Sequence, residues 1–181
     1  AGTGSAPFVC MVRSELRRNP KADLSKWVLL HGASHASDLG HRDELHRLVA
    51  EHGLRYWGTV SRPKDSPDWL GDVGRVEQFF APDRLADLER RVGLAPGGFT
   101  PKAAVIFICG LQGTIGTTIT NLCPRGFVPD HKRMREALGV APELPATLFY
   151  EQYDTEPVID IKNPDVVAPL AAQLAAALAA L

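Results

Sequence analysis

The sequence predicts an α/β fold built on a parallel β-sheet. Short apolar runs of strand length alternate with longer segments of helical period, and this alternation continues along most of the chain. That order of elements is typical of β–α–β units with right-handed crossovers. The chain has 181 residues, of which 45% are hydrophobic and 23% are charged. This composition supports a packed core and excludes general disorder.

Four apolar runs are predicted to be buried strands, and the segments around them are predicted to be helices because their apolar residues recur on one helical face. The predicted strands are Trp27–Leu30, Arg55–Val60, Ala103–Cys109 and Thr147–Tyr150. The predicted helices are Pro7–Arg18, Arg42–Glu51, Asp83–Val92 and His131–Leu138.

A further helix is predicted at the C-terminus, after Pro157 and Pro164 break the alternating pattern. Four leucines recur there at spacings of four, four and three residues, at positions 170, 174, 178 and 181. They form one apolar stripe on an alanine-rich helix. The stripe either docks on the surface of its own domain or contacts a partner, and the sequence leaves both readings open.

Charge and cysteine content exclude several classes of protein. The formal net charge is −1, which argues against a nucleic-acid-binding coat. The three cysteines, Cys10, Cys109 and Cys123, lie far apart and form no Cys-x-x-Cys pair. We therefore expect no zinc finger, no iron–sulfur cluster and no disulfide scaffold. This cysteine usage fits a reducing compartment, so we expect a cytoplasmic location. His31 and His35 are four residues apart but follow a predicted strand, so we expect no metal site.

No apolar run is long enough to cross a membrane, and no membrane partner is expected.

A glycine-rich turn opens the chain with Gly2, Thr3 and Gly4, and Pro7 is suited to the first turn of a helix. Free N–H groups and the helix dipole at such a place favour an anion, and a pyrophosphate is the obvious candidate. The alternative is an ordinary strand-to-helix turn. A turn of this kind is normally fed by a central strand. We therefore expect either that this first strand is missing from the chain or that another segment takes its place.

Ser61 and Arg62 follow the second predicted strand, where an NAD site would place a carboxylate for the ribose 2′-hydroxyl. A hydroxyl and a guanidinium fit a phosphate instead, which predicts the 2′-phosphate of NADP. Arg75 is a second basic candidate one loop later. The alternative is that both arginines are solvated surface charges.

Cys109 and Gly110 lie at the C-terminal end of the third predicted strand, where doubly wound folds bind their ligands. Gly110 leaves room for a flat ring, and the thiol could touch a nicotinamide. Glu151 and Tyr153 follow the last strand at the same sheet edge, where the carboxylate could orient the thiol or relay protons and the aromatic ring could stack. The alternatives are a buried apolar cysteine and ordinary surface groups. The segment from Gly113 to Gly116 either bends around a ribose or starts a helix.

The motifs GTGSAPF, TVSRP, FICG and FYEQY, taken in this order, resemble the NADP-binding half of the ferredoxin–NADP reductase family. The stretch LLHGASHASDLGHRDEL is similar to the second strand and following helix of that family. The resemblance covers roughly residues 1–153, which we interpret as one NADP-binding reductase domain. Residues 154–181 are then a C-terminal extension with an Ala/Leu-rich helix.

This resemblance implies a doubly wound five-stranded parallel sheet in the order 3-2-1-4-5, with helices on both faces. It implies NADP and FAD as cofactors, with hydride passing from NADPH to FAD and electrons then passing to a ferredoxin or an iron–sulfur oxygenase component. The roles it implies are as follows: Gly2, Thr3 and Gly4 bind the pyrophosphate; Ser61, Arg62 and Arg75 bind the 2′-phosphate; Cys109, Gly110 and Glu151 lie at the junction of nicotinamide and flavin; and Tyr153 covers the flavin.

Two departures from the family pattern matter. The FAD-binding barrel does not occur in these residues, so we expect it upstream in the same protein and expect this part alone to bind FAD weakly or not at all. The chain continues past Tyr153, where plant-type members end.

Two alternatives for the function remain: a reductase domain whose acceptor is not a carrier protein, and a module that senses NADP without turnover.

Overall fold

The computed structural model describes the backbone of residues 2–181 and the side chains from Gly4 onwards. The chain divides into two compact units, Ala1–Val76 and Glu77–Leu181. Each unit combines parallel strands with helices. The boundary expected between residues 153 and 154 stays a prediction.

The first unit contains two α-helices and three strands. They are α1 (Ala6–Arg18), β1 (Val28–Ala33), α2 (Arg42–His52), β2 (Arg55–Val60) and β3 (Asp72–Val73). Short 3-10 turns occupy Gly2–Ser5, Ala36–Asp38 and Pro63–Asp65.

The three strands of the first unit form a parallel sheet in the order β1-β2-β3. A core of aliphatic side chains packs beneath it because α1 and α2 each present one apolar face. The buried members include Val9, Val12, Leu24, Leu45, Leu48 and Leu54. Met11 of α1 is apolar but lies outside this core, with 40% of its surface exposed.

The second unit contains four α-helices and two strands. They are α3 (Leu85–Arg91), β4 (Ile106–Gly110), α4 (Gln112–Leu122), α5 (Lys132–Ala137), β5 (Leu148–Gln152) and α6 (Pro164–Ala180). Two 3-10 turns, Val76–Phe80 and Cys123–Arg125, complete its regular structure.

Strands β4 and β5 pair in parallel, with Ile106 opposite Leu148 and Gly110 opposite Gln152. The C-terminal helix α6 packs against the 3-10 turn Cys123–Arg125, and its Leu170 and Leu174 are buried. The leucine stripe thus docks on its own unit, which is the first of the two readings from the sequence.

Three strands differ in extent from the sequence prediction. The strand expected at Trp27–Leu30 continues to Ala33, and the strand expected from Ala103 begins only at Ile106. The last strand extends to Gln152, so Glu151 lies within it. Gly113 and Gly116 lie inside helix α4, so the segment starts a helix, as one of the two readings held.

The α/β class with parallel strands and helices on both sides is confirmed. The two strand pairs expected as neighbours are both present and parallel, but they belong to two separate sheets. The order 3-2-1-4-5 in one sheet, including the first strand expected to be missing, stays a prediction.

No helix within residues 2–181 is long and apolar enough to cross a membrane.

Candidate functional site

The C-terminal ends of β4 and β5 bring three predicted site residues together. Strand register places Cys109 directly opposite Glu151, and the thiol donates to Glu151 Oε2 with an S–O distance of 3.7 Å. The Tyr153 side chain also hydrogen-bonds Cys109, and its backbone N–H donates to the Gly110 carbonyl at 3.0 Å. We call this end, formed by residues 109–116 and 151–158, the β4–β5 edge.

The thiol of Cys109 is held in its neutral form. Partial burial raises its pKa above the ordinary value; the hydrogen bond from Tyr153 acts in the opposite direction, and the Glu151 carboxylate raises the pKa further. Desolvation, together with Cys109 and Glu151, raises the pKa of Tyr153 to about 12. Both hydrogen-bonding groups beside the carboxylate are therefore protonated at neutral pH.

Asp154 completes this edge, and sequence reasoning missed it. Its Oδ2 accepts the Gln112 backbone N–H at 2.9 Å, where that N–H would otherwise be unsatisfied in the first turn of α4. Its Oδ1 accepts from Gln152 Nε2. The Gln152 hydrogen bond, followed by that of Gln112, holds the pKa of Asp154 below its usual value. No local motif could have found it, because Gln112 and Asp154 meet only through strand pairing.

Three glycines at this edge differ in what surrounds them. A Cβ built on Gly116 would overlap the Val158 carbonyl oxygen, so glycine is required there by the packing of the chain itself. A Cβ on Gly110 would lie 3.5 Å from the Thr114 side chain, an ordinary contact, and one on Gly113 would meet nothing within 4 Å. The chain therefore leaves open space beside Gly113, whereas Gly110 is buried and a Cβ there would already contact Thr114.

Ser61 and Arg62 follow β2, at a second strand end. Their backbone N–H groups donate to the carbonyls of Ala33 at 3.0 Å and Ser34 at 2.9 Å, which join the chain leaving β2 to the chain leaving β1. Both side chains are exposed. We call this end, formed by residues 33–38 and 61–66, the β1–β2 edge.

Trp69 anchors the loop that continues from this edge. Its ring packs over β2 beside Gly58, where a Cβ would come within 3.1 Å of the ring. Its Nε1–H donates to the Asp72 carbonyl at 2.8 Å. The guanidinium of Arg42 lies over the ring at 5.0 Å from its centre, a cation–π contact. The loop between β2 and β3 is thereby tied to the sheet.

The glycine-rich opening forms a 3-10 turn, Gly2–Ser5, that runs directly into α1. It packs against β1, and Gly4 is buried. The predicted tight turn is thus helical, with Pro7 in the first turn of α1 as expected. The Thr3 hydroxyl, expected to donate to a pyrophosphate, lies outside the described side chains.

The predicted site residues divide between the two units. The first holds Gly2, Thr3, Gly4, Ser61, Arg62 and Arg75, and the second holds Cys109, Gly110, Glu151 and Tyr153. Arg75 is exposed and takes part in interactions within the protein. Ser61 and Arg62 are adjacent, and the structure brings Cys109, Glu151 and Tyr153 into contact. The functional roles of all these residues stay predictions.

The histidines do not form a metal site in the described part of the chain, where no three His, Cys, Asp or Glu side chains cluster suitably. His31, expected to follow a strand, lies inside β1 with 3% of its surface exposed. Its Nδ1 is 3.4 Å from the Tyr56 hydroxyl. The prediction that His31 follows the strand is wrong, because β1 extends three residues further than its apolar run.

Comparison with known families gives one match over most of the chain. The family model described as oxidoreductase NAD-binding domain matches residues 1–118. The match includes the glycine-rich opening, the β1–β2 edge, Arg75 and Cys109–Gly110. No curated protein shows a significant sequence match.

Proposed function

The chain belongs to the oxidoreductase NAD-binding domain family, and from this premise we propose that it is the NADP(H)-binding half of a flavin-dependent reductase. The family match is consistent with the resemblance to the ferredoxin–NADP reductase family, and the chain functions in pyridine-nucleotide oxidation and reduction. When bound, the nicotinamide supplies a hydride, and FAD accepts it and releases single electrons. What remains for the protein is to hold and orient the reacting groups.

The proposal of NADP rather than NAD rests on the β1–β2 edge. Arg62 presents five donors in a planar fork that matches a phosphate, and its exposed side chain is accessible to a ligand. The adjacent Ser61 hydroxyl adds a donor. Arg75 follows β3 at the next strand end along the sheet and is the third group of the proposed 2′-phosphate site.

The pyrophosphate is proposed to lie at the start of the helix formed by Gly2–Ser5 and α1. N–H groups in the first turn of a helix lack partners within it and favour negative charge. Gly4 places no side chain between a ligand and this backbone. This part of the proposal concerns backbone atoms and does not depend on Thr3.

The single observation that carries the redox role is the contact of Cys109 with Glu151 and Tyr153. A protonated thiol brings no charge and no nucleophile to a nicotinamide beside it, since the thiolate is the reactive form. Glu151 accepts the hydrogen of the thiol and fixes its direction. We propose that the nicotinamide ring would lie beside Cys109 and Gly110 and would be aligned for transfer by its contact with the thiol.

Tyr153 is proposed to act as a gate at this position. Its hydroxyl bonds the thiol, so its ring stands beside the space assigned to the nicotinamide. Entry of the nicotinamide would then require the ring to turn aside, a movement of small amplitude. The 44% exposure of Tyr153 is compatible with such a movement.

The proposed partners follow from the same family reading. An FAD-binding barrel encoded upstream would hold the flavin, and a ferredoxin or an iron–sulfur oxygenase component would accept the electrons. We propose a cytoplasmic location on the basis of the cysteine usage.

Cofactor preference is tested by replacing Arg62 with alanine. We expect Arg62→Ala to weaken NADPH binding by about 1.5–3 kcal/mol and to leave NADH binding almost unchanged, because a charge-assisted hydrogen bond to the 2′-phosphate is lost. Titration calorimetry measures both affinities. Arg18→Ala, an exposed arginine of α1, is the matched control. Equal losses for the two nucleotides would contradict the 2′-phosphate assignment.

The redox role is tested with the protein that includes its flavin-binding part. We expect Cys109→Ala to slow hydride transfer from NADPH in stopped-flow absorbance while NADP⁺ binding is retained, since the thiol aligns the ring rather than holding the nucleotide. A variant that loses only stability would show that the thiol serves packing. Wild-type protein that binds NADPH but reduces no artificial acceptor would favour a sensing module.

A further inference from the structure

His35 joins the two loops of the β1–β2 edge. Its Nδ1 lies 3.0 Å from Asp38 Oδ2, and its backbone N–H donates to the same oxygen at 3.2 Å. Its Nε2 lies 3.5 Å from Asp65 Oδ2. The contact with Asp38 is a hydrogen bond, whereas the longer contact with Asp65 is electrostatic. His35 thereby connects the loop after β1 to the loop after β2.

A hydrogen bond makes the same connection one residue further along each loop. The Ala36 backbone N–H donates to Ser66 Oγ at 3.0 Å. Between Arg62 and Ser66 the chain forms a tight turn, in which the Asp65 N–H donates to the Arg62 carbonyl at 3.1 Å. The position of Asp65 therefore sets the position of the Arg62 backbone, from which the guanidinium extends.

We propose that His35 is a positioning residue for nucleotide specificity, which holds the loop Ser61–Ser66 so that Arg62 meets the ribose 2′-phosphate. This inference rests on the proposed function of Ser61 and Arg62. His35 does not touch the phosphate itself; it acts through Asp65 and the turn that ends there. Asp38 contacts the opposite nitrogen of the imidazole and so orients the ring with its Nε2 toward Asp65.

Removal of Asp65 distinguishes a role in positioning the loop from simple electrostatic repulsion of the phosphate. Asp65 is a carboxylate three residues from the proposed phosphate-binding arginine, and 61% of its side chain is exposed. By charge alone it would repel a 2′-phosphate, so its removal would strengthen binding. If it holds the loop through His35, its removal weakens binding. The two accounts predict opposite signs for one substitution.

The experiment compares two probes by titration calorimetry: adenosine 2′,5′-bisphosphate and 5′-AMP, which differ by the 2′-phosphate. The wild-type chain should bind the bisphosphate more tightly. His35→Asn and Asp65→Ala should each reduce this preference about two- to fivefold, the range typical of exposed ion pairs, and should leave 5′-AMP affinity unchanged. His41→Asn is the matched control, because His41 is similarly exposed and lies 3.6 Å from one carboxylate, Glu44, away from this loop. The His41→Asn variant should prefer the bisphosphate over 5′-AMP to the same extent as the wild type.

The wild-type chain tests the NADP assignment, and the two variants test the role of His35. A wild-type chain without preference for the bisphosphate would overturn the NADP assignment and the role of His35 together. A wild-type preference that persists in both variants, or that rises in Asp65→Ala, would overturn only the role of His35. An equal loss of affinity for both probes would show a general structural effect and would also overturn it.

Discussion

The two strand ends that carry the candidate site are held in different ways. At the β4–β5 edge, the side chains of the predicted site residues bond to one another, and Asp154 adds a cap on the following helix. At the β1–β2 edge, side chains such as His35 and Ser66 hold the backbone, while Arg62 extends into solvent.

This difference follows the chemistry proposed for each end. A phosphate arrives with its own charge and hydration, so its arginine is best left exposed on an ordered backbone until it binds. A nicotinamide ring must be aligned for transfer, so the groups beside it are best already in place. The comparison predicts that substitutions at the β4–β5 edge affect stability more than substitutions at the β1–β2 edge.

The largest expected effect is on Gly116. The Val158 carbonyl fills the space where a side chain would start, so Gly116→Ala should lower the free energy of unfolding by about 1–3 kcal/mol through overpacking. Gly113→Ala, in the same helix with nothing near its Cβ, should change it by less than about 1 kcal/mol. Urea unfolding followed by circular dichroism measures both.

Two further measurements sharpen this prediction. Arg62→Ala at the β1–β2 edge should change stability by no more than about 0.5 kcal/mol, as exposed substitutions do. Gly113→Ala should still weaken NADP⁺ binding if the ligand approaches this backbone. Equal stability of the Gly116 and Gly113 variants would mean that the β4–β5 edge is not held by the packing of Val158.

A smaller effect is expected from Asp154 and depends on pH. Its pKa is lower in the folded chain than in the unfolded chain, so its stabilisation is complete above the unfolded value and is lost as the pH falls through the folded value. Asp154→Asn should therefore be less stable than wild type at neutral pH, and this difference should shrink as the pH falls through the folded-state pKa.

Urea unfolding at a series of pH values checks this sign, with the exposed Asp68→Asn as the control. A difference that grows on acidification would contradict the role of the charged carboxylate as a cap.

The smallest effects are expected in thiol reactivity. Iodoacetamide at mildly alkaline pH should label exposed Cys10 first, Cys109 more slowly, and Cys123 hardly at all, because burial raises the pKa of Cys123 to about 12. Mass spectrometry of labelled peptides reads each site. Glu151→Gln should speed labelling of Cys109 severalfold, since the carboxylate raises the thiol pKa.

Tyr153→Phe should act in the opposite direction, because it removes the hydrogen bond that lowers the Cys109 pKa. Cys10 serves as the internal control in every variant. If both substitutions change the rate in the same direction, the labelling reports access to the thiol and not its pKa.

Most of the fold could be predicted because hydrophobic periodicity marks long elements well. The sequence did not decide whether helix α4 forms, because Gly113, Gly116 and its threonines have low helix propensity. The helix forms because Ile115, Ile119 and Leu122 bury one face. The predicted first strand ended too early because His31 and Gly32 are not typical of a buried strand. Gly32 is required there by Val76, whose Cβ would lie 2.8 Å from an added Cβ. That contact is tertiary and leaves no local signal.

The positions of the site residues could be predicted because parallel strands end at one edge, and so could an approach of Glu151 to Cys109. The geometry of that contact depends on strand register, which the sequence does not state. Asp154 and His35 were missed for the same reason: their partners are fixed by the meeting of loops and strand ends. The order of strands in a single sheet also stays a prediction.

The ring of Trp69, covered by Arg42 and resting on β2 beside Gly58, gives the molecule an optical reporter. All three tryptophans lie within the first 76 residues, at positions 27, 57 and 69. Tryptophan emission therefore follows the melting of the first unit alone, and calorimetry follows both. A lag between the two traces would reveal whether the halves of this chain unfold as one cooperative body or in succession.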